Sequence, residues 1–334
     1  MKILVTIPHY YAHDPEGIYA SNGDPERKTG NLRKLIVHLK TLFECPQAYC
    51  RYDLQNADGS RFTDADLQAG RPIARSLANY YAANEALHAK VDIVLSTAGE
   101  RHALARLGLP QGMYERRDFP DVDPKLLGFT CQDVLKERRG EYDYYCYMED
   151  DLVVHDPLFF RKLAWFDALF GADAVLLPHR FEYNERCVFP KGYVETDGFE
   201  AGSELVERLS FAQKYIDFAE RPVLTALLPG GEMRFVKARN PHAGCFFLTA
   251  AQFELWLSCP YYGERTGEFS SSFESPATWG LIRTFGVYKS DFPLAAFFEI
   301  EHAGARFLGQ SLSQEPQKRI DTASFAREGI HFSF

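Results

Sequence analysis

The stretch Tyr142-Asp143-Tyr144-Tyr145-Cys146-Tyr147-Met148-Glu149-Asp150-Asp151-Leu152-Val153-Val154 sets three adjacent carboxylates inside what is otherwise an apolar run. Burying one unpaired carboxylate is strongly unfavourable, so three beside a core strand require water, cations or a metal. Short acidic runs are ordinarily solvated turns, but this one is enclosed between a tyrosine-rich and a valine-rich segment. In extended chain, residues two apart point the same way, so Glu149 and Asp151 are expected to share one side. Open α/β sheets bind ligands at the carboxyl ends of their strands. A hard divalent cation bridging to a diphosphate suits oxygen donors placed there.

The elements that must position these acids can be read from periodicity. Residues 2–7 form a short apolar run expected as a buried strand, followed by a polar loop over 9–30. Leu32, Leu35, Ile36 and Leu39 recur at helical spacing. A polar stretch over 55–70 reads as an insertion or long loop. Pro72 opens a second helical run through Ile73, Leu77, Tyr80, Tyr81 and Leu87, and 91–95 is the next strand. A third helix is expected over 127–139, with Leu127, Cys131, Val134 and Leu135 on one face. The strand 144–148 then leads into the acids. Asp156-Pro157 supplies a cap and a first-turn proline for a helix lined by Phe159, Leu163, Phe166 and Phe170. A strand over 174–177 follows, and this alternation predicts an α/β fold with parallel strands.

Beyond Pro178 the pattern loosens. A strand at 245–248 precedes a helix at 250–257 that Thr249 can cap, and Ser275-Pro276 starts another helix that Gly286 closes. The division expected is 1–155 and 156–310 as two halves of one compact domain, with 311–334 as a surface tail.

Composition narrows the function classes. The chain has 334 residues, with 37 basic and 46 acidic side chains and a net charge of -9, and no long basic run. A nucleic-acid partner is therefore not expected. Pro8 and His9 cut the first apolar run too short for a signal-peptide core, and no stretch reaches the length of an integral membrane segment. The 7 cysteines are odd in number and include no C-x-x-C pair, which points to reduced thiols and a cytoplasmic location. No G-x-x-x-x-G-K-[ST], G-x-G-x-x-G or G-x-S-x-G pattern is present, which weighs against P-loop kinases, dinucleotide dehydrogenases and α/β-hydrolases.

With an N-terminal strand, further β/α units and an acidic triplet at a strand end, the chain resembles the GT-A glycosyltransferases. Their D-x-D signature stands here as Glu149-Asp150-Asp151. The resemblance covers about residues 1–180 in order of elements. It departs from the family in the glutamate at the first position and in the late placement of the triplet, which implies an insertion around 46–72. The resemblance implies a Rossmann-type mixed sheet flanked by helices, with a more irregular acceptor half. It also implies a nucleotide-diphosphate sugar donor and a glycan or glycoconjugate acceptor.

The same resemblance gives Asp151 a role in binding Mn²⁺ or Mg²⁺. Glu149 would lie near the ribose or the metal's water shell, with Asp150 between them, and Pro8, His9 and Tyr10 would form the loop that cradles the base. A late histidine serves as a further metal ligand in several families of this fold, which singles out His302 in Glu301-His302-Ala303-Gly304. Inverting members carry an acid at a helix start, which singles out Glu274 as the catalytic base. Glu264 and Glu268 are weaker candidates, Arg180 and Glu182 could line the sugar pocket, and Tyr261, Tyr262 and Trp279 could stack on an acceptor sugar. The alternatives are a nucleotidyltransferase of related fold and a non-catalytic carbohydrate- or nucleotide-binding protein.

Overall fold

The computed structural model describes residues 1–12, 24–184, 190–194, 223–228, 231–238, 241–266, 273–304 and 308. The expected tail at 311–334, much of the 9–30 loop and Glu268 lie outside these residues.

In chain order the elements begin with β1 (Lys2–Pro8), α1 (Pro25–Leu39), β2 (Ala48–Gln55), α2 (Asp64–Gln68), β3 (Ala74–Ala82), β4 (Lys90–Thr97) and β5 (Glu115–Asp118). They continue through α3 (Leu127–Glu137), β6 (Tyr144–Met148), β7 (Leu152–Val153), α4 (Phe159–Phe170), β8 (Ala174–Leu176), β9 (His179–Tyr183) and β10 (Lys191–Tyr193). The remainder are β11 (Val223–Leu228), β12 (Gly231–Lys237), β13 (Cys245–Thr249), α5 (Ala250–Leu257), α6 (Glu274–Thr284), β14 (Gly286–Ser290) and β15 (Glu299–His302).

The central sheet has the order β13-β6-β1-β4-β5. Strands β1, β4, β5 and β6 run parallel, and β13 joins β6 antiparallel. Central parallel strands are covered on both faces, which explains why Ile3, Leu4, Val5 and Ile7 form an unbroken buried run. Helices flank the sheet, with α3 packing across β1, β4 and β6. The fold is thus the α/β class expected from the alternation. The chain leaves β1 toward β4 on one side and returns to β6 on the other. The crevice between β1 and β6 is therefore a topological switch point, where open sheets take ligands.

Two smaller sheets, β10-β9-β15-β7 and β11-β12-β14-β8, stand beside the central one. Strand β15 pairs with β7 directly after the acidic triplet, so the late part of the chain is woven back to the site.

Three expectations are corrected. Helix α4 starts at Phe159 with Leu158 at its N-cap position and no side-chain cap, so Asp156 and Pro157 stand ahead of the helix and not in its first turn. Residues 74–82 are a strand and not a helix, paired antiparallel with β2 as a separate two-stranded sheet. Residues 46–72 hold the first arm of this hairpin and the short α2 that precedes the second. The acids themselves lie in the turn from β6 to β7 and not along an extended strand.

Candidate active site at the switch point

The turn is held by backbone bonds that carry no chemistry of their own. The Glu149 N–H donates to the Gly244 carbonyl at 2.9 Å, and the Ala303 N–H donates to the Asp151 carbonyl at 2.7 Å. Gly244 has φ +65°, and a Cβ there would stand 3.0 Å from the Glu149 carboxyl carbon. Only glycine combines that backbone with that approach.

Asp150 points to one side and is fully engaged. Its two oxygens meet His9 Nδ1 and Lys28 Nζ, each at 2.7 Å, and its side chain is 4% exposed. The Ala103 N–H donates to His9 Nε2 at 3.3 Å, so Nδ1 carries the ring proton toward Asp150. Burial opposes ionisation of Asp150, but Lys28 and His9 outweigh it and hold the carboxyl below its ordinary range. Burial likewise works against the Lys28 charge, and Asp150, Asp151 and Glu149 together overcome it and raise the ammonium pKa. This clamp ties β1, α1 and the β6–β7 turn together.

The other side is different. Glu149 is raised well above the usual carboxyl range, first by burial and then by the charges of Asp151 and Glu274, with Arg180 opposing. Asp151 is 26% exposed, and its Oδ1 is a buried atom with no hydrogen-bond partner. His302 Nε2 stands 3.5 Å from Asp151 Oδ2, longer than a good hydrogen bond. The other ring nitrogen, Nδ1, lies 2.7 Å from Glu182 Oε1, and Glu182 is completely buried. Because a carboxylate there accepts, Nδ1 carries the proton and the Nε2 lone pair is aimed at the Asp151 side. A carboxylate behind an imidazole is the support that metal-binding histidines ordinarily have.

Glu274 opens α6, and its Oε1 lies 2.7 Å from His242 Nε2, which Arg180 Nη1 also approaches at 3.0 Å. His242 is lowered from its usual value, chiefly by burial and then by Arg180, against the pull of Glu274. The expected residues Glu149, Asp151, Glu274 and His302 thus lie in one neighbourhood. Arg180 and Glu182 join it from β9.

Of the expected base-binding loop, Pro8 ends β1, His9 is buried in the clamp, and Tyr10 is half-buried. The aromatic residues suggested for an acceptor are packed instead. Tyr262 donates to the Gln132 carbonyl at 2.8 Å and Tyr261 to the Arg283 carbonyl at 2.9 Å, while Trp279 is buried beneath the Arg283 guanidinium. Glu264 forms an exposed ion pair with Arg283.

Sequence reading missed Lys28 and His242. Lys28 is 122 positions from its partner, so no local spacing betrays it. His242 had a cue in Pro241-His242-Ala243-Gly244, a tight loop entering an apolar strand.

Among the described residues, no group of three or more His, Cys, Asp or Glu side chains stands ready to hold a metal ion. Asp151 and His302 are the pair whose donor chemistry suits one. An unsatisfied carboxylate oxygen lies beside an oriented imidazole, and Glu149 stands nearby. The described cysteines form no disulfide, and no described helix is long and apolar enough to cross a membrane.

No family model matches this chain, and no curated protein matches it. Among solved structures, a mannose-1-phosphate geranyltransferase from Thermus thermophilus matches with 14% identity and a TM-score of 0.29. That match covers 86% of this chain and 73% of the other, an overlap too loose to carry any residue from one to the other.

Proposed function

We propose that this chain is a divalent-cation-dependent transferase that takes a sugar from a nucleotide-diphosphate donor and passes it to a glycan or glycoconjugate acceptor. The observation that carries the reading is the Asp151 carboxylate oxygen that is buried without a hydrogen-bond partner, beside Glu149 and the imidazole of His302, at the switch point of a parallel sheet. Asp151 and His302 would hold Mn²⁺ or Mg²⁺, because a cation shared with a diphosphate needs only one or two protein ligands. When bound, the cation supplies charge neutralisation for the departing diphosphate.

Glu182 keeps the His302 lone pair aimed at the site, and Gly244 fixes Glu149 close to it. Asp150 and His9 are assigned a positioning role, since the clamp with Lys28 already uses both Asp150 oxygens. Glu274 would accept the acceptor hydroxyl proton, with His242 holding its carboxylate.

A second reading is nucleotidyl transfer to a sugar phosphate. The observation favouring it is that Glu274 is already engaged by His242, since a phosphate nucleophile is anionic and needs no base.

The test is product release from a panel of nucleotide sugars and from nucleoside triphosphates paired with sugar phosphates, with and without Mn²⁺, on wild type and Asp151→Ala. Metal-dependent release of a nucleoside diphosphate, lost in the variant, supports glycosyl transfer. Pyrophosphate released from a nucleoside triphosphate and a sugar phosphate supports the second reading. Neither product, together with no thermal stabilisation by nucleotide and Mn²⁺, sinks both.

A further inference from the structure

A cavity lies toward the opposite end of the central sheet, away from the acids. It has a volume of about 480 Å³ and lies at the base of the β2–β3 hairpin, lined among others by Pro46, Gln47, Tyr81, Asn84, Glu85 and His88. That size is within the range of small-molecule sites. Residue 88 lies just before β4, whose 8 residues span roughly 25 Å at strand rise, so the cavity is about one sheet length from the acids.

The walls are built. Asn84 is buried, and its Oδ1 accepts from the Gln47 N–H at 2.9 Å while its Nδ2 donates to the Cys45 carbonyl at 3.0 Å. The Ala83 N–H closes the hairpin base onto the Gln47 carbonyl at 2.8 Å.

Three polar groups on this frame have work to spare. The Tyr81 hydroxyl and the Glu85 carboxylate make no hydrogen bond or ion pair among the described residues. His88 Nε2 donates to the Glu44 carbonyl at 2.9 Å, which leaves Nδ1 as an acceptor. Tyr81 is 53% exposed, and its register partner Tyr49, on the same hairpin face, is 68% exposed. The lining contains no lysine or arginine, and the Glu85 carboxylate repels anions, so phosphates and nucleotides are poorly matched. A ring with C–H faces and vicinal hydroxyls matches the aromatic faces, the carboxylate and the imidazole together.

We propose that this cavity is a binding site for a neutral saccharide, with Tyr81 as the stacking platform and Glu85 and His88 as hydrogen-bonding groups for its hydroxyls. The assignment does not depend on the reaction at the acids. Where both hold, an extended glycan is anchored at the hairpin while a distant part of it reaches the switch point.

Saturation-transfer NMR on the full chain tests this, using cellotetraose, maltotetraose, mannotetraose and chitotetraose as probes and pyrophosphate as competitor. Transfer to at least one tetrasaccharide is expected, undisturbed by pyrophosphate and retained in Asp151→Asn. Tyr81→Ala should weaken binding about tenfold, equivalent to about 1.4 kcal/mol, and Glu85→Gln several-fold. Both residues are exposed, and circular dichroism of each variant checks that the fold is kept. No transfer to any probe, transfer that Tyr81→Ala leaves intact, or displacement by pyrophosphate would overturn the proposal. Loss of donor turnover in Asp151→Asn with saccharide binding intact separates this site from the one at the acids.

Discussion

Asp150 and its neighbours in the triplet show two ways of putting carboxylates into a protein interior. On one side of the β6–β7 turn, Asp150 is met by Lys28 and His9, and both of its oxygens are used. On the other, Glu149, Asp151 and Glu274 bear on one another, and Glu149 is pushed toward its protonated form. The same backbone turn supplies both, so the difference lies in what the rest of the chain brings to each side. Where an ammonium and a donating imidazole were brought, the acid is a fastener. Where acids and an oriented imidazole were brought, the fold carries an electrostatic cost that a bound cation would relieve.

Breaking the fastener should have the largest effect. Asp150→Ala leaves Lys28 buried without its main partner, and urea unfolding should show a loss of about 3–5 kcal/mol. Next comes the open side: Asp151→Asn should lower metal-dependent turnover by about 10²–10³. In urea, the same variant should stay within about 1 kcal/mol of wild type. Equal stability losses at Asp150 and Asp151 would erase the distinction between the two sides. Gly244→Ala should cost about 1–2 kcal/mol through its left-handed backbone alone. Calorimetric melting checks that figure, and a cost near zero would remove Gly244 from the account.

The smallest effect is also the most diagnostic in its pH dependence. The folded-state pKa of Glu149 is raised, so the stability linked to its protonation is full below the unfolded value of about 4.3 and is lost as pH rises through the folded value. Glu149→Gln is spared that loss, so its stability relative to wild type should grow steadily as pH rises above about 4.3. Asp150, with its pKa depressed, behaves oppositely. Its contribution is present above about 3.9 and is lost as pH falls through the lower folded value. Urea midpoints between acidic and neutral pH compare the two, and a flat Glu149→Gln difference would contradict the assignment.

Much of the frame was legible because burial writes itself locally. The apolar runs of β1 and β6, the helix α3 and the Thr249 cap of α5 all follow from short-range pattern, whereas the turn that carries the acids does not, since an apolar flank on both sides reads as extended chain. The hairpin was not legible, because Ile73, Leu77 and Tyr81 recur at helical spacing. Pairing with residues 48–55, which decides the matter, is a tertiary event. The meeting of Asp151 with His302 was expected on resemblance alone. The Lys28 arm of the clamp on Asp150 and the pairing of His242 with Glu274 were not legible, since these partners come from α1 and from the loop before β13. Motifs mark the residues that one strand end contributes, whereas charge compensation is settled by residues far apart in the chain.

The central claim is that the Glu149–Asp151 side holds a divalent cation together with a nucleoside diphosphate. Titration calorimetry of Mn²⁺ into the protein with each nucleoside diphosphate present tests it most directly, on wild type, Asp151→Asn and His302→Ala. Saturable binding that depends on one nucleotide, abolished by Asp151→Asn and weakened by His302→Ala, is the predicted result. Binding unchanged in both variants, or none in wild type with any nucleotide, would contradict the account.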